Sequence, residues 1–182
     1  MKIYFVTSNL NKLKETRQIL GDRIEHVSVD IPEIQSLDIN VIITDKAKKA
    51  FAQVGGPVIV EDTGLYINAF NGFPGPLVRW LTHTADIGGI CKMLSSFPDR
   101  SAYAINSYCF YDGKELKVFV GKASGSIADK PRGKKEFDWD QIFIPDGHEQ
   151  TYAEMENGHK NTISARKDAL AQLAQYLERK EM

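Results

Sequence analysis

The stretch Ile3-Tyr4-Phe5-Val6-Thr7-Ser8-Asn9-Leu10-Asn11-Lys12 decides how this chain is read. Its first residues form an apolar run, the pattern of a buried strand. A helix pattern starts near Asn11, with Leu10, Leu13 and Leu20 near helical spacing and Gly21 as its stop. Between strand and helix lie hydroxyls, an amide, backbone N–H groups and one ammonium. A strand, a short polar loop and a helix N-terminus are a common cradle for phosphate. The glycines of a Walker A loop are missing. The competing reading is a polar turn with Asn9 as a helix cap.

Outward from this stretch, Glu25 to Val29 suggests a second strand. A second helix fits residues 38–54, with Ile43, Ala47, Ala50, Phe51 and Val54 on one face and Gly55-Gly56-Pro57 breaking it. Val58-Ile59-Val60 reads as a short central strand parallel to the first, ending in Glu61-Asp62-Thr63-Gly64. Open α/β sheets bind ligands at such strand ends. A loop, Asn71-Gly72-Phe73-Pro74-Gly75-Pro76, follows, and then a helix over 85–96 with Ile87, Ile90, Cys91 and Leu94 inward. Ser101 to Tyr111 and Glu115 to Gly121 flank Asp112-Gly113, a hairpin signal. Gly125 to Ala128 and Ile142-Phe143-Ile144 read as further strands. A helix from Ser164 to Lys180, with Leu170, Leu173 and Leu177 as its stripe, closes the chain. The order predicts one α/β domain over residues 1–182. Its elongated mixed central sheet is flanked by helices and forms two lobes with a cleft between them.

Composition narrows the function. The chain has 182 residues, 42% of them hydrophobic, so a full core is expected. Lys plus Arg is 23 and Asp plus Glu is 24, a net charge of −1. That balance argues against a nucleic acid polymer or an anionic membrane as partner, but not against a small anion. The two cysteines, Cys91 and Cys109, sit far apart in apolar segments and read as buried, reduced thiols. Met1-Lys2 runs at once into a strand, and no apolar run approaches the ~20 residues of a membrane helix. The expected location is the cytoplasm.

Four constellations carry possible chemistry. Glu33, Glu61 and Asp62 are oxygen donors suited to a hard cation, or to proton transfer. The competing reading pairs them with Lys or Arg. Lys12, Lys46, Arg79, Lys160 and Arg166 are scattered cations of the kind a triphosphate needs, or else solvated surface. Phe137-Asp138-Trp139-Asp140 places two aromatics in a polar loop, either to stack on a base or to anchor the loop to the core. In Lys160-Asn161-Thr162-Ile163-Ser164-Ala165-Arg166, Ser164 reads as a helix cap. Arg166 in the first turn opposes the helix dipole and favours an anion partner. The histidines His26, His83, His148 and His159 show no ligand spacing, and covalent nucleophilic catalysis has no residues to support it.

The loop at residues 7–12 resembles the Thr-(Ser/Gly)-Asn-x-x-Lys signature of inosine triphosphate pyrophosphatases. The likeness continues through Pro32-Glu33, Val60-Glu61-Asp62-Thr63-Gly64-Leu65 and Gly72-Phe73-Pro74-Gly75-Pro76. It resumes at Thr151-Tyr152-Ala153-Glu154-Met155 and at Lys160-Asn161 through Ser164 and Arg166. The resemblance implies a homodimer that hydrolyses non-standard purine nucleoside triphosphates (ITP, dITP, XTP) to the monophosphate and pyrophosphate. It implies magnesium, or manganese in its place, on Glu33 and Asp62. Asp62 would also accept the proton, with Glu61 as its catalytic neighbour. Thr7, Ser8, Asn9, Leu10, Asn11, Lys12, Lys46, Thr63 and Arg79 would line the triphosphate. Phe137, Asp138, Trp139, Asp140, Lys160, Ala165 and Arg166 would surround the base.

This chain departs from the family twice. Phe137-Asp138-Trp139-Asp140-Gln141 stands where the family has Phe-Gly-(Trp/Tyr)-Asp-Pro, and Ser164-Ala165-Arg166 where it has Ser-His-Arg. Both departures fall on the base side, which implies retained chemistry with altered base selectivity. The alternatives are a nucleotide-binding protein that has lost turnover, and a pyrophosphatase that prefers a different base, such as a modified pyrimidine.

Overall fold

The computed structural model describes residues 2–134 and 139–181. Strand β1 (Ile3–Val6) pairs in parallel with β2 (Ile24–Val27), where Ile3 opposes Ile24, and with β3 (Val58–Ile67), where Phe5 opposes Ile59. Adding β4 (Pro74–Gly75), β5 (Ser101–Tyr111), β6 (Leu116–Ile127) and β7 (Phe143–Pro145) gives a seven-stranded sheet. Its order is β2-β1-β3-β5-β6-β7, with β4 antiparallel on β3. The helices are α1 (Leu10–Leu20), α2 (Ile39–Val54), α3 (Val78–Met93), α4 (Asn157–Ile163) and α5 (Ala165–Glu181).

The chain divides into two compact units. The first takes the residues up to Asp62, Asn106–Gly121, and Arg166 onward; the second takes Thr63–Ile105 and Lys122–Ala165.

In the first unit, strand alternation sorts side chains onto two faces. Phe5, Ile59, Tyr108 and Phe110 pack with Leu13 and Leu20 of α1 and Leu170, Leu173 and Leu177 of α5. Val6, Val58, Val60 and Cys109 pack instead with Ile43, Ala47 and Ala50 of α2. Burying each large aliphatic side chain contributes about 1.5–3 kcal/mol, so these stripes fix which helix covers which face. Asn9 caps α1, its side chain accepting from the backbone N–H groups of Asn11 at 3.0 Å and Lys12 at 3.2 Å. Asp38 caps α2 in the same way, and Gly55 ends that helix in the left-handed region.

In the second unit, Leu65, Ile67, Ile90, Leu94, Ile127, Phe143 and Tyr152 form the core. The Arg100 guanidinium donates to the carbonyls of Ile127 (2.8 Å), Ala128 (2.6 Å) and Leu94 (3.3 Å). These bonds satisfy backbone acceptors where strand and helix end.

Several boundaries differ from the sequence expectation. Strand β3 does not stop at Glu61 but runs on to Ile67, because Leu65 and Ile67 continue the buried alternation. Its far end pairs with β4, which the sequence did not suggest; Leu65 opposes Gly75 and Tyr66 opposes Pro74. A Cβ on Gly64 would lie 2.9 Å from the Gly75 carbonyl carbon, so only glycine lets the two backbones approach there. Helix α3 starts at Val78 rather than residue 85 and is interrupted at Asp86, whose φ is 53°. The Asp86 carboxylate accepts from Gly89 N–H at 2.8 Å, restarting the helix like an N-cap. The expected strand at 125–128 is the end of the longer β6. Leu10, the first residue of α1, is 68% exposed, while Leu13 and Leu20 are buried. Cys91 and Cys109 are buried free thiols, as expected, and burial pushes the Cys109 thiol up to about 12. Among the described residues, no helix is long and apolar enough to cross a membrane.

Candidate functional site

Consecutive residues on β3 point to opposite faces, and two carboxylates sit at consecutive positions. Glu61 follows Ile59 onto the face covered by α1 and α5; Asp62 follows Val60 onto the face covered by α2.

Glu61 is 3% exposed. Its Oε2 lies 2.5 Å from Lys12 Nζ. Its Oε1 accepts from Arg166 Nη2 at 3.1 Å and from the Asn106 side-chain amide. Arg166 also donates through Nη1 to Glu15, on α1. Burial works against the Arg166 charge, but Glu61, Tyr108 and Glu15 outweigh it and raise its pKa above the ordinary value. The Tyr108 and Thr16 hydroxyls meet at 2.7 Å, fastening β5 to α1.

On the other face, Lys46 of α2 pairs with Glu33 and donates to the Glu61 backbone carbonyl at 3.1 Å. Burial opposes the Lys46 charge, and Asp62, Glu33 and Glu61 outweigh it, leaving its pKa raised. Asp62 is half-buried, and burial raises its carboxyl above the ordinary value. Lys46 and Lys12 pull it back down, while Glu33 and Glu61 push it further up. A carboxyl raised by burial beside two ammonium groups is a candidate proton acceptor. Lysines clustered around it can meet developing phosphate charge.

The structure thus gathers Lys12, Glu33, Lys46, Glu61, Asp62 and Arg166 in one unit. In the loop, Thr7 Oγ1 accepts from Asn9 N–H at 3.1 Å, and Asn9 serves as the helix cap. Both side-chain oxygens are used locally, as the capping alternative expected. Ser8, Leu10 and Asn11 are exposed; Thr63, half-buried, is the next residue on β3. Arg79 is exposed in the first turn of α3.

The second unit holds a different cluster. Lys160 (5% exposed) pairs with Asp140 (6%) and lies 5.6 Å above the Tyr152 ring. Trp139 stands edge-on to Phe143 at 5.7 Å and 6.5 Å from Tyr152, so its ring is tied to the core. Gln141, at the departure from the family's proline, donates to the Gly133 carbonyl at 3.0 Å. Ala165 is buried within the same core cluster. Phe137 and Asp138 lie outside the described residues.

Sequence reading passed over Glu15, Thr16, Asn106 and Tyr108. One signal was present: Asn106-Ser107 is a polar pair inside an otherwise apolar strand, where a buried amide needs a partner.

A sheet of mixed direction, with carboxylates on its central strand beside a capped strand–loop–helix and lysines from two helices, defines a class of α/β protein. Residues 3–176 match the Ham1 family model, and the chain belongs to the Ham1 family. An inosine triphosphate pyrophosphatase of Tuber melanosporum is 42% identical over 181 residues, covering 97% of this chain and 96% of that protein. The solved structure of a HAM1 protein from Coxiella burnetii is 30% identical with a TM-score of 0.87, covering 98% of this chain and 99% of that one. A nucleoside-triphosphatase, dITP/XTP pyrophosphatase, from Mycobacterium abscessus is 29% identical with a TM-score of 0.77, covering 95% and 98%.

Proposed function

We propose that this chain is a nucleoside triphosphate pyrophosphohydrolase acting on non-standard purine nucleotides (ITP, dITP, XTP), with residues 1–182 as one functional domain. The observation that carries this reading is Asp62, its carboxyl raised by burial and bracketed by Lys46 and Lys12. Family membership and the 42% identical relative support it.

Water attacks the α-phosphorus, and the bond from that phosphorus to the bridging oxygen breaks. The electron pair leaves with pyrophosphate, and the water proton passes to an Asp62 carboxylate oxygen. Lys12 and Lys46 neutralise the departing charge, and the Asn9-capped turn presents the start of α1 to phosphate. The loop residues Thr7, Ser8, Leu10 and Asn11, with Thr63 and Arg79, complete the contacts to substrate. Glu33 and Asp62 would hold magnesium, or manganese. The donors are hard oxygens, and the like charges that push Asp62 up are what a divalent cation relieves. When bound, that cation supplies charge neutralisation on the phosphates. A 6-keto purine presents an acceptor where adenine presents a donor, so Lys160 and Arg166 favour hypoxanthine or xanthine. The chain works in the cytoplasm as a homodimer, an expectation that rests on the family likeness.

Pyrophosphate release from ITP with magnesium tests the reading. Tight nucleotide binding without release would point instead to a binding protein that has lost turnover. The second reading, altered base selectivity, is favoured by Gln141 tying its loop to Gly133 and by buried Ala165, where the family has proline and histidine. A turnover panel across purine and pyrimidine triphosphates decides it. Ordinary preference for ITP and XTP over ATP and GTP removes the altered-selectivity reading.

A further inference from the structure

Asn106 is 1% exposed on β5, the strand beside β3, and its amide reaches across to Glu61 Oε1. Arg166 Nη2 shares that oxygen at 3.1 Å, while Lys12 Nζ sits 2.5 Å from Oε2. One carboxylate therefore sets the place of two cations. A carboxylate held only by long flexible cations could pivot with them, and the lysine stem has many rotamers. An amide on a rigid strand fixes the carboxylate plane without adding a competing charge. Two residues on, the Tyr108 hydroxyl meets Thr16 at 2.7 Å, so the same face of β5 also grips the helix that carries Lys12.

We propose that Asn106 is a positioning residue: by fixing Glu61 it holds Lys12 ready for a triphosphate. The ligand class rests on the pyrophosphohydrolase reading. Pre-placed cations lose less freedom when the anion arrives, so the effect falls on affinity. By this inference Glu61 aims cations, and the proton falls to Asp62.

The test is a double-mutant cycle between Asn106→Ala and Lys12→Ala. It is read as the Kd of inorganic triphosphate with magnesium by calorimetry, with Tm measured beside it. Asn106→Ala should weaken binding about tenfold and add almost nothing once Lys12 is gone. Asn106→Ser, which keeps a shorter donor, should fall between wild type and alanine, and it carries the cycle if the alanine variant does not fold. A residue that only satisfies a buried carboxylate would lower Tm with Kd unchanged, or would weaken binding equally with and without Lys12. Either result overturns the proposal, as does a wild type that does not bind inorganic triphosphate. Because this probe has no base and needs no turnover, the outcome is separate from whether the wild type releases pyrophosphate from ITP.

Discussion

The charges around Glu61 and those around Asp140 are both buried, yet they are built differently. Glu61 is met by Lys12, Arg166 and Asn106, and Arg166 is in turn met by Glu15, so charge is spread over a network. Asp140 is met by the Lys160 ammonium, beside the Tyr152 ring within an aromatic core. A network tolerates the withdrawal of a cation to a ligand, because the carboxylate keeps other donors. A carboxylate paired with an ammonium inside an aromatic core is costlier to disturb, since the charge left behind sits in apolar surroundings. The first arrangement suits cations that exchange partners during binding, and the second holds its donor in one orientation.

The largest effect expected is on turnover. Asp62→Asn keeps the shape of β3 but cannot take the proton, so pyrophosphate release should fall by about 10²–10⁴-fold with circular dichroism unchanged. Near-wild-type release would remove Asp62 from its role and erase the contrast between it and Glu61.

Next comes the Asp140–Lys160 pair. Lys160→Ala removes the ammonium beside buried Asp140 and should cost about 3–5 kcal/mol in denaturant unfolding. Glu15→Gln, which removes one carboxylate from the network, should cost clearly less. Equal losses would break the comparison.

Tyr108→Phe removes one buried hydrogen bond to Thr16 and should cost about 1 kcal/mol of stability. It sharpens the network side by separating its stabilising part from its charged part.

The smallest effect lies away from both clusters. Asp112 is held down at about 2 by the backbone N–H of Glu115, by Lys180 and by the backbone N–H of Lys114. The unfolded carboxyl has its ordinary value, so the folded form releases this proton more readily. Asp112 therefore stabilises above pH ~3.8, and that contribution disappears as pH falls toward ~2. Asp112→Asn should flatten the acid arm of a stability–pH curve in that window. An unchanged slope would show that the Asp112–Lys180 bond carries no net stability.

How far the sequence reached follows the same division. Strand β1, helix α2 and the parallel pairing of β1 with β3 were readable, because local patterns and helix caps set them. The extension of β3 and the short β4 were not, since each exists only through the other's backbone. In the site, Lys12, Lys46, Glu33 and Asp62 were legible as charges in suggestive places. Their partners were not: Glu15 is one of many helix-surface carboxylates until α5 brings Arg166 to it. The residues alone favoured Trp139 as a core anchor and the family resemblance implied a base stack; packing against Phe143 and Tyr152 ties its ring inward.

The β1–β3 ladder sets Phe5 against Ile59, and that alignment decides which helix each of the two acidic neighbours sees. A single residue inserted or deleted just before Glu61 would exchange them, handing the anchored carboxylate to α2 and the proton acceptor to α1 and α5. The two carboxylates would still be present, but Leu65 and Ile67 would change faces with them, and both jobs would be lost together. Lineages of this chain should therefore accept length changes in the turns around β3 far more readily than within Val58–Asp62.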